Sequence, residues 1–405
     1  MNVLLLTYYF SPDLSAGSFR NTPLAYELAR QVGDTGTVHV ITTQPNRYAS
    51  FRAEAAAEEQ QGNLRINRIS VPNHNGGFID QIRSYLHFYR QAYALTRNET
   101  YDVVVASSSR LFSAFLGAQL ARQRQLPLVL DIRDLFRENI LELLKNPLAK
   151  IALAPTLQAI ERYTFGYARH INMVSEGFND YFAKYQQASY SYFTNGIDDH
   201  FLNLPPTPDT GQQRNHRTIL YAGNIGEGQG LEKIVPAVAK LLGPTYRFVI
   251  IGDGGTKSRL ERVVAELDLH NVDIRQPVDR TALLNEYKKA DYLFLHLNNL
   301  KAFERCLPSK LFEYAATDKP VLAGVAGYTA QFISQHVPNS FVFNPGDATA
   351  LTTYLQKTPY QNTVRTAFID QFRRQTIIRS LAGQIVQAAG LMAQPIPSSA
   401  DLAEL

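Results

Sequence analysis

The 405-residue sequence contains one cysteine, Cys306, which excludes an internal disulfide and any cysteine-rich zinc site. No stretch approaches the roughly 18 consecutive apolar residues of a membrane-spanning helix. The opening MNVLLLTYYFSPD has no basic flank before its short apolar run, so it is expected to be the first β-strand of a cytoplasmic protein rather than a targeting segment. If a membrane matters, the chain is expected to lie on it. The nine histidines show no metal-ligand spacing, and there is neither a Gly-x-Ser-x-Gly elbow nor a complete P-loop, so metal-dependent hydrolysis and P-loop phosphoryl transfer are set aside and no metal cofactor is expected. A formal charge of +4 comes without a dense Arg/Lys stripe. That balance suits an anionic substrate or an anionic lipid surface, not a nucleic-acid partner.

What the chain does have is apolar material. Hydrophobic residues make up 45%, with 22 Tyr and 22 Phe, enough for two cores, and the length suits two domains of roughly 180 to 200 residues. Near-continuous apolar runs such as VLLLTYY (3–9), TVHVITT (37–43), DVVVASS (102–108) and LPLVLDIRD (126–134) alternate with helix-period segments, the pattern of parallel strands covered on both faces. After the polar, proline-rich stretch 203–217 the rhythm restarts with TILYAG (218–223), YRFVIIG (246–252) and DYLFLHL (291–297). The expected architecture is α/β, with two Rossmann-like, doubly wound domains over 1–200 and 218–367 facing each other across a cleft. A helical period over 368–393 predicts a helix that packs back on the first domain, and 394–405 reads as a frayed tail.

Several segments could carry chemistry. Ala16, Gly17 and Ser18 form a small-residue turn before a helix with Arg20 in its first turn, a geometry that lets backbone amides approach a phosphate. YAGNIGEGQG repeats the device with Gly223, Asn224 and Gly226, and IGDGG does so with Gly252 and Asp253. Pro308 and Ser309 suit the start of a helix carrying Lys310, Leu311 and Glu313. Lys310 could then meet a diphosphate while the Glu313 carboxylate accepts from vicinal ribose hydroxyls. LPLVLDIRD places Asp131, Arg133 and Asp134 where a buried strand meets the cleft. Over 78–98 a helical period sets Ile82, Tyr85, Leu86, Tyr89 and Tyr93 on one face and Arg83, His87, Arg90 and Arg97 on another, which suits contact with an anionic membrane. An ordinary surface helix gives the same pattern, as a plain strand-to-helix turn does at each glycine loop.

In order along the chain, YYFSPDLSAGSFRNTPLAYELAR, LDIRDLF, VSEGFNDYF with TNGIDDHF, YAGNIGEGQGLEKI, IGDGGTKSRLE, KKADYLFLHL and LPSKLFEYAATDKPVLAG resemble the family 4 glycosyltransferases of GT-B fold, especially the bacterial branch that extends surface polysaccharides and O-antigens. The resemblance implies retaining transfer from a nucleoside-diphosphate sugar, usually UDP-linked, to a glycan or polyprenyl-linked acceptor. It makes Glu313 the ribose ligand and puts base contacts near Gln276, Pro277 and Val278, with Gly252 and Asp253. The family's other signature glutamate is Arg305 here, and the Arg and Lys of its second-domain loop are Asn224 and Gln229, so Lys310, Arg305 or Arg20 must neutralise the leaving group. Asp131 and Asp134 are both candidates for the functional acid of the first domain.

No protein nucleophile is needed if a phosphate oxygen takes the acceptor proton. Three rivals remain: a degenerate GT-B protein that binds a nucleotide sugar or glycan without turnover, an isomerase resembling the UDP-sugar 2-epimerases, and an NAD-linked dehydrogenase, whose full glycine fingerprint is missing.

Overall fold

The computed structural model describes residues 1–46, 54–72, 78–108, 111–144, 146–202, 204 and 216–390. Most of the proline-rich stretch 203–217 and all of 394–405 lie outside them. The apolar runs form two sheets. The first contains β1 (Asn2–Leu6), β2 (Thr37–Thr43), β3 (Glu58–Gln61), β4 (Leu64–Ile69), β5 (Val103–Ser107), β6 (Leu128–Ile132), β7 (His170–Met173) and β8 (Ser189–Tyr192), in the order β3-β4-β2-β1-β5-β6-β7-β8. All neighbours are parallel except β3 and β4. The second, wholly parallel, contains β9 (Arg217–Ala222), β10 (Tyr246–Ile251), β11 (Val272–Arg275), β12 (Tyr292–His296), β13 (Val321–Gly324) and β14 (Ser340–Phe343), in the order β11-β10-β9-β12-β13-β14.

Each sheet has helices on both faces, so its central strands need apolar side chains on both. In β1, Leu4 and Leu6 enter one core while Val3 and Leu5 enter the other; in β12, Leu293 and Leu295 oppose Tyr292 and Phe294 in the same way. Strand order reverses between β1 and β5 and between β9 and β12. At such reversals the loops beyond the strand ends diverge and leave a crevice.

The expected C-terminal helix is broken in two, Thr366–Gln371 and Arg374–Gly390. Between them the backbone pairs with the chain leaving the first domain: the Ile197 amide donates to Phe372 O (2.7 Å) and the Arg374 amide to Ile197 O (3.0 Å). A Cβ at Gly196 would lie 2.5 Å from Arg374 Cα, so the crossing tolerates no side chain there. Phe372 stays in the second domain's core, whereas Ile378, Leu381, Ala382 and Ile385 join Leu24, Ala25 and Leu28 over the first sheet. An apolar helical period continued through 372–373 because both pieces bury a face, each in a different domain.

Candidate functional site

Loops from the ends of both sheets enclose a cleft of about 400 Å³, within the range of small-ligand pockets. The first domain supplies Leu14, Ser15, Ala16, Phe19, Arg133, Asp134 and Asn195; the second supplies the loops after β9, β10 and β11 and the segment 303–313. Of the residues singled out in the sequence, Asp134, Gly223, Asn224, Gly252, Pro277, Val278, Pro308, Ser309, Lys310 and Glu313 meet there.

The helix carrying Lys310 is only Lys310–Ala315, and the Ser309 side chain does not cap it. Six residues build little macrodipole, so the charge at this wall comes from Lys310 itself. Part of that side chain is accessible, but Nζ is buried with no hydrogen-bond partner. It lies 3.7 Å from the centroid of the Tyr221 ring. Burial lowers its pKa to about 7, with Glu313 only partly opposing the shift. Gly223, at φ +143°, allows this approach, since a Cβ there would stand 2.8 Å from Nζ. The glycine loop is braced by Gln229, whose Oε1 accepts from Asn224 Nδ2 (2.8 Å) and the Gly226 amide (3.2 Å). Gly226 and Asp253 stay off the cleft wall, Asp253 Oδ1 accepting from the Gly254 amide (2.8 Å). Leu311 is fully buried in the core.

Two expectations about the first domain change. Asp131 and Arg20 are 1% and 3% exposed and hold each other in a bidentate pair, Nε to Oδ2 at 2.8 Å and Nη2 to Oδ1 at 2.9 Å. Asn172 Nδ2 also donates to Asp131 (2.7 Å), while Arg20 donates further to Phe193 O and Thr194 O. Burial by itself would raise the Asp131 pKa, but the Arg20 guanidinium outweighs it and the net shift is downward. The pair ties the helix Ala16–Val32 to β6 and to the exit from β8, so neither group is left for a ligand. Asp134 is the carboxylate that the first domain places on the cleft wall. Arg305 does not line the cleft either. Its Nη1 lies 3.3 Å from Glu138 Oε1 and its carbonyl accepts from Ser175 Oγ (2.5 Å), a contact that joins the two domains beside the site.

Glu313 is held in a way the sequence did not indicate. Its Oε1 accepts from Arg280 Nη1 (2.8 Å) and its Oε2 from Tyr287 OH (3.3 Å). Arg280 Nη2 reaches Asp198 Oδ2 (2.6 Å), which also accepts from Arg374 Nη1 (2.7 Å). Two guanidinium groups overcome the burial that would raise the Asp198 pKa and hold it well below the usual carboxylate range. Glu313 thus belongs to a chain of charges running to the crossing between the domains. Arg280 is 33 residues from Glu313, and no local spacing links them.

Arg133 was noted only as one charge among three. Its Nε and Nη1 are buried without a hydrogen-bond partner. Burial, then repulsion from Arg20, lowers its pKa to about 10. Among the described residues no group of three His, Cys, Asp or Glu side chains is placed to hold a metal ion.

The basic helix spans Phe78–Thr96. Its buried face is Ser84, Tyr85, Phe88, Ala92 and Thr96, so the expected aromatic face is split: Tyr85 packs inward, whereas Leu86 (49% exposed) and Tyr93 (40%) share the outer side with Arg83, His87 and Arg90. The side chain of Ile82 lies outside the described residues. Leu148 and Ile151 of the helix Pro147–Phe165 are also exposed. No described helix is long and apolar enough to cross a membrane.

Residues 22–190 match the family described as glycosyl transferase 4-like domain, and residues 208–375 match glycosyl transferases group 1. Over 115 residues the chain is 35% identical to the putative colanic acid biosynthesis glycosyl transferase WcaI of Escherichia coli, a match spanning 28% of each protein. Among solved structures it resembles sucrose-phosphate synthase from Thermosynechococcus elongatus (TM-score 0.67, 16% identity, 97% of each chain covered). It also resembles Anabaena HepE in complex with UDP-glucose (TM-score 0.64, 17% identity, 96% of this chain and 100% of that one).

Proposed function

Because the chain belongs to the family 4 glycosyltransferases of GT-B fold, we propose that it transfers a hexosyl or N-acetylhexosaminyl group from a UDP-linked donor, with retention, to a glycan or polyprenyl-linked acceptor in surface-polysaccharide synthesis. The observation that carries this reading is Lys310, a buried ammonium without a hydrogen-bond partner on the wall of a cleft built by both domains. A buried cation left unpaired is costly unless an anion arrives, and a sugar-bound diphosphate supplies one. The HepE complex with UDP-glucose and the pathway in WcaI's name support the donor and the product class.

In this mechanism the acceptor hydroxyl attacks the anomeric carbon from the face the diphosphate leaves. The bond from that carbon to the phosphate oxygen breaks with its electron pair going to the diphosphate, and a phosphate oxygen takes the acceptor proton. Lys310 stabilises the leaving charge, and Asp134 orients the acceptor hydroxyl from the opposite wall. Glu313 keeps lone pairs beyond those used by Arg280 and Tyr287 for the ribose hydroxyls. Pro277 and Val278 flank the base. With a protein cation already facing the diphosphate, no essential metal is invoked. The outer side of Phe78–Thr96, with Leu86 and Tyr93 among basic residues, would rest on an anionic membrane holding a lipid-linked acceptor.

The test is a thermal titration with UDP, GDP, ADP and dTDP, with and without magnesium, followed by assignment of the product's anomeric configuration. A ligand that binds only the folded state raises its stability as ln(1 + [L]/Kd). Stabilisation by UDP without metal and a retained configuration would support the reading; no response to any nucleotide would overturn it. Arg305, turned towards Glu138 in place of a cleft carboxylate, favours one alternative, a protein that binds the donor without turnover. Tight UDP binding with no transfer from any UDP-sugar would select it.

A further inference from the structure

Buried arginines elsewhere in the chain show what a structural guanidinium requires. Arg365 donates to four carbonyls, those of Pro338, Thr317, Lys319 and Asn339. Arg20 likewise makes four bonds, to both oxygens of Asp131 and to two carbonyls. Arg133 has no such set: Nε and Nη1 are shut off from water and accepted by nothing. Arg20 and Arg374 repel it, while the Asp131 and Asp134 carboxylates only partly offset its burial. Arg133 Nη1 lies 3.2 Å from where a Cβ of Gly17 would be, against the first turn of the 17-residue helix Ala16–Val32, whose start is fixed by Ser15 Oγ accepting from the Ser18 amide (3.1 Å). A buried guanidinium at the positive end of a helix dipole, with two N–H groups unbonded and neighbouring carboxylates that do not bond them, is stabilised further by an anion that accepts from them.

We propose that Arg133 and the start of the helix Ala16–Val32 form a phosphate-binding site on the first-domain wall, opposite Lys310, so that a bound phosphate group is gripped from both domains. The planar fork of the guanidinium suits two oxygens of one phosphate, and the helix start adds partial positive charge. The Asp131–Arg20 pair then has a supporting role: it fixes the helix start and β6 relative to one another, and with them the position from which Arg133 points. The phosphate could belong to the donor diphosphate or to an anionic acceptor. Only the first of these rests on the donor reading above.

The test compares the full-length wild type, Arg133→Gln and Arg133→Lys by calorimetric titration with UDP, with uridine, and with inorganic phosphate added to protein already saturated with UDP. If the donor diphosphate is the ligand, Arg133→Gln weakens UDP at least tenfold, leaves uridine unchanged, and Arg133→Lys recovers part of the loss. If an acceptor phosphate is the ligand, UDP binding is unchanged and Arg133→Gln abolishes the binding of inorganic phosphate to the UDP complex. Should the wild type bind no UDP, the donor reading fails, and phosphate titration of the free protein, compared with Arg133→Gln, still decides the role of Arg133. The unliganded Arg133→Gln protein should melt no lower than wild type, because the Nε and Nη1 groups it removes are buried without a hydrogen bond. A lower melting temperature, or unchanged binding of both UDP and phosphate, overturns the proposal.

Discussion

Replacing Lys310 with methionine should make the unliganded protein more stable while removing its affinity for nucleoside diphosphate. The ordinary lysine value of 10.5 falls to about 7 in the fold. At about 1.36 kcal/mol for each tenfold change in protonation, holding the ammonium in place costs about 4 kcal/mol at pH 7. The Tyr221 ring 3.7 Å away returns about 1–2 kcal/mol. The variant, which fills similar volume without a charge, should therefore gain about 2–3 kcal/mol. The pH dependence identifies the source. Between about pH 7 and 10.5 the unfolded lysine keeps a proton that the folded one has released, so wild-type stability rises with pH across that window relative to the variant, and the gap closes. Urea unfolding at pH 7, 8.5 and 10 followed by circular dichroism measures it, the chain having no tryptophan to report by fluorescence. In the presence of UDP the order should reverse, because only the wild type is stabilised by the ligand. A variant less stable than wild type at pH 7, or a gap that does not change with pH, would refute the idea that Lys310 is held ready for an anion.

Asp131→Asn leaves Arg20 buried with an incomplete partner and should cost about 3–5 kcal/mol at neutral pH. Since the folded carboxyl titrates below its ordinary value, the pair's contribution is present above the ordinary range and is lost as pH falls, so in acid titrations followed by circular dichroism the difference from wild type should shrink below about pH 4. Asp134→Asn should lower turnover by about a hundredfold or more in a nucleotide-release assay while UDP affinity and melting temperature stay as in wild type; a matching loss of UDP binding would place Asp134 at the donor instead. Glu313→Gln should narrow the preference for UDP over 2′-deoxy-UDP in competition titrations, and should lower stability by about 1–3 kcal/mol because Arg280 loses its ionised acceptor. An unchanged ratio would remove Glu313 from the ribose.

By itself the sequence determined the parallel cores of the two sheets, because strands covered on both faces must be apolar throughout, as in VLLLTYY, DVVVASS and DYLFLHL, and helices between them must carry a 3.6-residue period. It also marked which loops meet at the cleft, since glycines at Gly223 and Gly252 and the Pro308–Ser309–Lys310 turn follow strand ends. Charges were another matter. Asp131, Arg133 and Asp134 are neighbours in the chain with the same exposure to inspection, and only the packed fold sends the first to Arg20, leaves the second unpartnered, and turns the third to the cleft. Arg305 leaves the cleft and Arg280, which no motif singled out, lines it for the same reason: the partner of each, Glu138 or Glu313, arrives from a distant element or from the other domain. The break at Phe372 depended on Ile197 crossing beside it. Apolar periodicity is a local property and survives in one dimension, whereas the partner of a charge is a fact about distance in three.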